Sequence, residues 1–481
     1  MTAQTWPFEP YKIKMVEPLP VTTRARREEA LRDAGWNLFG LRAGDVTIDL
    51  LTDSGTAAMS HHQWAALLGG DETYAGARSW TRFERTVQEI FGFRHVIPTH
   101  QGRAAERILF AALVQERESE VVPSNAHFDT TKGNLELLGR RAKDFPISEA
   151  RDPSTRAPFK GDADLTAVEE QIRDGKVPFV MLTVTNNAGG GQPVSMANIR
   201  GMGELARAYG IPFVIDACRF AENASFIRQR EPGYADVAIP EIVREMFAQA
   251  DAITMSAKKD GLANIGGFIC VNDDEVATRV KQLCIAGEGY PTYGGLAGRD
   301  LDAIAVGLRE VLDEDYLRHR VGTTAAFVEA LAARGVPVLL PPGGHAAYLD
   351  ARMFLPHLPW DHYPAQTLVD EIYLEGGVRG SELGTVTFGM DSTTGVERPA
   401  TWELVRLALP RRVYTRSHLE YVIETVAAVH DRREAVRGLR ITSQPRVMRN
   451  FTSRFAPVAQ AEALDPLEPP TRKFATRSAR D

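Results

Sequence analysis

The sequence predicts an α/β protein whose large domain rests on a mostly parallel sheet. Short apolar, β-rich runs carry that reading: VPFVMLTVT (177–185), IPFVID (211–216), DAITMS (251–256) and GGFICVN (266–272). Helical patterns alternate with them, over 196–208 and 239–250. Turn residues close the runs, as in the Asn-Asn-Ala-Gly-Gly-Gly stretch after Thr185. Strands alternating with helices of about a dozen residues make βαβ units. In such sheets a ligand lies beyond the carboxyl ends of the strands, so the residues just after each run matter most.

The other elements follow in order. Residues 23–35 predict a short charged helix within an N-terminal arm. Residues 80–91 carry apolar side chains at helical spacing and stop at Gly92. RHVIPTHQGRAAERILFAALV (94–114) reads as strand, turn and helix. Residues 301–335 are helical, with a break around Asp313 to Tyr316. Beyond them come short strands at VPVLL (336–340), AAYLDA (346–351) and VRLALP (405–410), with helices over 365–375 and 417–429.

Composition bounds the function. The chain has 481 residues, 44% of them hydrophobic and 25% charged, as expected of a folded chain with a sizeable core. A net charge of −7 argues against a general nucleic-acid binder. No window approaches the roughly 18 uncharged apolar residues of a membrane span. Three cysteines, Cys218, Cys270 and Cys284, lack CxxC spacing and read as reduced thiols. With no apolar stretch at the start to serve as a signal peptide, a cytoplasmic location is expected.

The residues after the runs point to chemistry. Ser256-Ala257-Lys258-Lys259 follows DAITM. A lysine at the mouth of a sheet can form a Schiff base with an aldehyde, and a neighbouring cation favours its neutral form. On its own the motif is more often a solvated lysine pair at a strand end. Asp216-Ala217-Cys218-Arg219 follows IPFVID. A carboxylate there can keep a pyridine nitrogen protonated, and an arginine can reach a ring oxygen or a phosphate. Alone, Asp216 would be a helix cap. Together the two motifs are hard to obtain by chance. Thr99-His100-Gln101-Gly102-Arg103 opens a helix, where free N–H groups bind phosphate; a simple helix entry is the alternative. Asn187 suits a ring oxygen. Arg406 in an apolar run calls for a substrate carboxylate or a structural salt bridge. His61-His62 reads as a solvated helix start, Cys218 as a small buried residue, and Arg411-Arg412 as a solvated or salt-bridged pair.

These and other stretches resemble one family. DLLTDSGTAAMS, GDETYAG, PTHQGRAAE, AGGGQPVSMAN, MSAKKD, PTYGGLAGRD, GGHAAYLDA and RLALPRRVYT are similar to motifs of the β-eliminating lyases, the family of tryptophanase and tyrosine phenol-lyase. The resemblance runs from about Lys12 to Phe455. It implies a pyridoxal 5'-phosphate (PLP) transferase of fold type I, similar to aspartate aminotransferase. Four segments are then expected: an arm with part of the small domain (1–46), a large PLP domain (47–310), a small α+β domain (311–456) and a disordered tail (457–481).

By resemblance, Lys259 carries the Schiff base and removes the Cα proton, and Asp216 pairs with the ring nitrogen. Arg219 and Asn187 sit near the ring oxygen. Gln101, Gly102, Arg103, Ser256 and Lys258 surround the phosphate, and Phe128 stacks on the ring. Arg406, with Thr52, Ser54 and Asn187, holds the substrate carboxylate. Tyr74 from a neighbouring subunit of a homotetramer donates a proton to the leaving group. A K⁺ site uses Glu72 and the carbonyls of Gly55 and Asn264. No nucleic-acid or membrane partner is implied.

The leaving group is expected to be indole-like. Asp129 follows Phe128, as in tryptophanase, where tyrosine phenol-lyase has Thr. Leu383 stands where tyrosine phenol-lyases place an arginine against the phenol oxygen, so a phenolate would lack its stabiliser. Two positions depart from the family. Asn450 replaces the His of tryptophanases and, with Phe451, falls at the leaving-group pocket; Tyr290 replaces Met or Phe. An amide cannot titrate near neutral pH but still hydrogen-bonds. A substituted tryptophan, a tyrosine-like substrate or an S-substituted cysteine are the alternatives. An aminotransferase or a catalytically silent scaffold relative is the alternative of another class.

Overall fold

The computed structural model describes residues 6–114, 121–391, 394–446 and 448–458. The expected disordered tail lies, from residue 459 on, outside the described residues.

A seven-stranded sheet forms the centre. Its strands are β1 (His95–Thr99), β2 (Val121–Ser124), β3 (Arg141–Asp144), β4 (Val180–Thr183), β5 (Phe213–Asp216), β6 (Ala252–Ser256) and β7 (Gly267–Val271). They lie in the order β1-β7-β6-β5-β4-β2-β3. The five strands from β6 to β3 run parallel, whereas β7 is antiparallel to both β6 and β1. Side chains of a strand alternate between the faces, so each face builds its own core. Leu182, Ile215, Ile253 and Phe268 pack on one side with Phe83, Phe91, Phe220 and Met246. Met181, Val214, Ile269 and Val271 pack on the other with Leu109, Phe110 and Val280. Covered on both faces, the strands read as continuous apolar runs.

A second body gathers both ends of the chain. Leu31, Leu38, Ile48 and Leu50 share a core with Leu349, Leu368, Ile372, Val405, Leu407, Val422 and Val426. Its three-stranded antiparallel sheet holds β8 (Ala346–Asp350), β9 (Ser381–Leu383) and β10 (Leu404–Ala408), ordered β9-β10-β8. The helix Glu314–Ala333 joins the two bodies: Tyr316 and Leu317 belong to the large core, Phe327 and Leu331 to the small one. Ile48 and Asp49 pair with Val378 and Arg379, which ties the N-terminal segment to the body.

The strand expected at 336–340 does not form. Only an isolated bridge joins Val338 to Leu349. Pro337 and Pro341 have no N–H to give, so a ladder cannot extend through them. Among the described residues no helix is long and apolar enough to cross a membrane.

Candidate active site

Three strand ends and one helix start meet at a cavity of about 250 Å³. β5 ends at Asp216, whose carboxylate accepts from the Cys218 N–H at 3.1 Å. β6 ends at Ser256 and turns directly into Lys258 and Lys259. β1 leads through His100 and Gln101 to the helix Gly102–Val114. A side chain at position 102 would put its Cβ 2.5 Å from that of Ser256, so glycine is what lets the helix start touch the end of β6. The first N–H groups of a helix have no partner within it and face an anion favourably.

The cavity brings together most of the residues singled out in the sequence. Gln101, Gly102, Arg103, Phe128, Asn187, Asp216, Arg219, Ser256, Lys258 and Lys259 all line it. So do Thr52, Ser54, Asp129, Leu383, Arg406, Asn450 and Phe451. Burial lowers the Lys258 pKa, and the charges of Lys259 and Arg103 lower it further.

Arg406 lies on β10 and is only 6% exposed. Its Nη1 donates to Asn187 Oδ1 and its Nη2 to the Leu51 carbonyl, each at 3.1 Å. Its Nε is buried without a partner, and among the described residues no carboxylate pairs with it. The structural salt bridge is therefore absent there, and a buried cation faces the cavity. The Asn187 Oδ1 also meets Tyr348 Oη and His345 Nε2, each at 3.0 Å.

Asp129 and Asn450 adjoin. Asp129 accepts from the Thr130 N–H at 2.5 Å and from Asn450 Nδ2 at 3.3 Å. Burial raises the Asp129 pKa against those bonds. Phe451 packs on Phe39, with ring centroids 4.8 Å apart.

Arg219, expected near the ring oxygen, lines the cavity and is also held from behind. It forms a two-pronged ion pair with Asp53, Nε to Oδ2 at 3.0 Å and Nη2 to Oδ1 at 2.7 Å. Arg411 donates to Asp53, Glu222 and Asp260 at 2.9, 2.8 and 2.8 Å. Arg320 Nε reaches Glu222 at 2.9 Å. Burial opposes the charge on Asp53, but Arg219, His345 and Arg411 outweigh it and hold the carboxyl well below its usual range. Arg411 is thus the buried, salt-bridged member of its pair, and Arg412 bonds Glu310 at 2.9 Å.

Other expected residues lie apart from this cavity. Tyr74 is 68% exposed and sits beside Tyr290 and Tyr293, at centroid distances of 5.8 and 5.2 Å. Tyr290, expected at the leaving-group pocket, is half-exposed beside Tyr74 and does not line this cavity. Glu72 makes an exposed ion pair with Arg299 at 3.0 Å. The Gly55 carbonyl accepts from Asn264 Nδ2 at 3.1 Å. His61 and His62 open a helix capped by Ser60. Among the described residues no group of three His, Cys, Asp or Glu could hold a metal ion.

Sequence reasoning missed Asp53 and Glu106. Asp53 lies between Thr52 and Ser54, which were both singled out. Glu106 sits one turn beyond Arg103 on the same helix and lines the cavity. It accepts from Thr131 Oγ1 at 2.6 Å and from Asn134 Nδ2 at 3.0 Å. Burial first, then the charge of Asp216, pushes it up to about 7.

Comparison with known proteins agrees with this arrangement. A family model described as β-eliminating lyase matches residues 49–425. The chain is 56% identical over 450 residues to a tryptophanase of Hyphomonas neptunium, covering 93% of this chain and 98% of that one. It is 51% identical over 460 residues to a tyrosine phenol-lyase of Intrasporangium calvum, covering 95% and 97%. Among solved structures, a serine palmitoyltransferase of Sphingomonas wittichii superimposes with a TM-score of 0.57 at 13% identity, over 86% of this chain and 97% of that one. Another, from S. paucimobilis with a bound PLP–myriocin aldimine, gives 0.54 at 12% identity, over 81% and 88%. At such identities those two speak for the fold alone, a fold type I architecture. The match over most of its length shows that the chain belongs to the β-eliminating lyase family.

Proposed function

We propose that the protein is a PLP-dependent lyase that releases an indole-like leaving group from tryptophan or a substituted tryptophan, with pyruvate and ammonia as the other products. The residues present fit the cofactor. Thr254 Oγ1, Ser381 Oγ and Arg406 Nε belong to cavity-lining residues and are buried without a hydrogen-bond partner. Gly102 brings the helix start, with its unpaired N–H groups, against Ser256 at the cavity. Bound PLP supplies an electron sink that acidifies the Cα proton.

The chain's own groups do the rest. Gln101, Gly102, Arg103, Ser256 and Lys258 would hold the phosphate, and Phe128 would line the ring pocket. Asp216 would be the carboxylate for the ring nitrogen. Lys259 would hold the cofactor aldehyde and serve as the base for the Cα proton. Arg406, Asn187, Thr52 and Ser54 hold the substrate carboxylate, which fixes the bond to be broken relative to Lys259. An aromatic carbon leaves only when protonated. Tyr74 of a neighbouring subunit supplies that proton; its exposure on the surface is compatible with reaching a second copy. Asp129 accepts the indole N–H. In this reading the assembly is a homotetramer, K⁺ binds at Gly55, Glu72 and Asn264, and the enzyme works in the cytoplasm.

One observation carries the indole preference: Asp129 lines the same cavity as Phe39, Leu383, Phe451 and the unpaired Nε of Arg406. A buried carboxylate suits an N–H donor, and a leucine offers nothing to a phenolate. The test incubates PLP- and K⁺-loaded protein with tryptophan, substituted tryptophans, tyrosine and S-alkylcysteines. Pyruvate release fastest from an indole substrate is expected. Pyruvate from tyrosine with none from any indole would overturn the preference.

A further inference from the structure

The wall around the leaving group comes from distant parts of the chain: Phe39, Leu383, and Asn450 with Phe451. Side chains brought together from afar define a pocket only if something fixes their spacing. Arg449, which does not line the cavity, sits where that happens.

Arg449 is 3% exposed. Its Nε donates to the Val386 carbonyl at 2.6 Å, and its Nη2 donates to the Thr385 carbonyl. Nη2 also pairs with Glu397 at 2.5 Å, and Nη1 donates to Gln444 at 3.0 Å. One planar group thus ties the turn Arg449–Phe451 to the turn Thr385–Phe388, two residues beyond Leu383.

The second turn is itself held at its other pole. Glu382 accepts from the N–H groups of Gly384, Val386 and Thr387 at 2.6, 3.0 and 3.0 Å. Glu403 accepts from the Thr385 N–H at 3.0 Å and from its hydroxyl at 2.6 Å. Carboxylates therefore hold the N–H end and a guanidinium the carbonyl end. The first turn is anchored on its far side by Asn37, which donates to the carbonyls of Asn450 at 3.2 Å and Ser453 at 2.8 Å. Only then do Asn450 and Phe451 reach Asp129 and Phe39.

We propose that Arg449 is a positioning residue for specificity: it locks Leu383, Asn450 and Phe451 into a single surface that receives the aromatic leaving group. It touches neither the cofactor residues nor the carboxylate clamp. It sets how well a bulky ring is seated and is indifferent to a small leaving group. This rests on the tryptophan-like reading above.

The test compares Arg449→Lys and Glu397→Gln with the parent holoenzyme on L-tryptophan and S-methyl-L-cysteine. Lysine keeps the charge but as a point donor cannot span two carbonyls and a carboxylate. Glu397→Gln removes the charge from one arm of the lock without emptying space. For Arg449→Lys, kcat/KM on tryptophan falls about tenfold or more, mostly through KM, since a slight misplacement of a seated ring is costly. For Glu397→Gln the fall is smaller. On S-methylcysteine both stay within about twofold of the parent, because uniform binding elsewhere is untouched. The visible absorption band of bound PLP and the melting temperature are read alongside, and the band stays as in the parent. Equal losses on both substrates, or a tryptophan-to-S-methylcysteine ratio unchanged in both variants, overturn the proposal and leave the tryptophan reading standing. A parent enzyme that releases pyruvate from S-methylcysteine but from no aromatic amino acid overturns both.

Discussion

The two sides of the cavity are built in opposite ways. The side proposed to take the cofactor is made of short, contiguous motifs: Gln101 to Arg103, Asp216 to Arg219, and Ser256 to Lys259. Each sits at a strand end or helix start, so the sheet fixes its position. The leaving-group side takes Phe39, Asp129, Leu383 and Phe451 from across the chain and depends on side-chain ties such as Arg449 to two carbonyls. Chemistry that must not vary rests on backbone scaffolding. In the proposed reading, substrate choice rests on a wall whose parts come from separate segments.

That contrast can be broken from either side. The largest effect is expected from Lys259→Ala, which removes both the cofactor's attachment and the base. Pyruvate release from every substrate falls by about 10³-fold or more. A variant that loses activity on tryptophan but keeps it on S-alkylcysteines would contradict the shared role of the cofactor side.

Leu383→Arg addresses the other side. It places a cation where a phenolate would develop, and the tyrosine-to-tryptophan ratio of kcat/KM rises by about tenfold. Steady-state kinetics on the two amino acids checks it. An unchanged ratio would show that the wall does not choose the leaving group.

The smallest effect concerns stability against pH. Burial and Asp216 push Glu106 up to about 7, so the folded protein binds a proton that the unfolded chain releases at the ordinary carboxylate value. Its contribution is complete at low pH and is lost as pH rises from about 4.3 to about 7. Glu106→Gln should flatten that decline. Melting temperatures between pH 5 and 8 read it, and parallel curves for parent and variant would contradict it.

The motifs were legible because each carries its chemistry and its position in a few neighbouring residues. The buried strands β4 to β7 were legible for a related reason: covered on both faces, they read as unbroken apolar runs. β3 was not. Its sequence RAKD is mostly exposed at the sheet edge, so no hydrophobic pattern marks it. Asp53, Glu222, Asp260 and Arg411 were not legible as a cluster either. They come from four separate segments and meet only in the folded core, where an unpaired charge would be costly.

The sequence alone determined the alternation of strands and helices, the family, and most of the residues that gather at the cavity. Local pattern suffices there, because hydrophobic period and strand-end placement are short-range properties. Tertiary structure alone decided that Arg219 pairs with Asp53, that Arg406 has no carboxylate partner among the described residues, and that Arg449 ties its own turn to the one beyond Leu383. Those depend on which side chains meet across hundreds of residues, and only the packed chain brings them within hydrogen-bond reach.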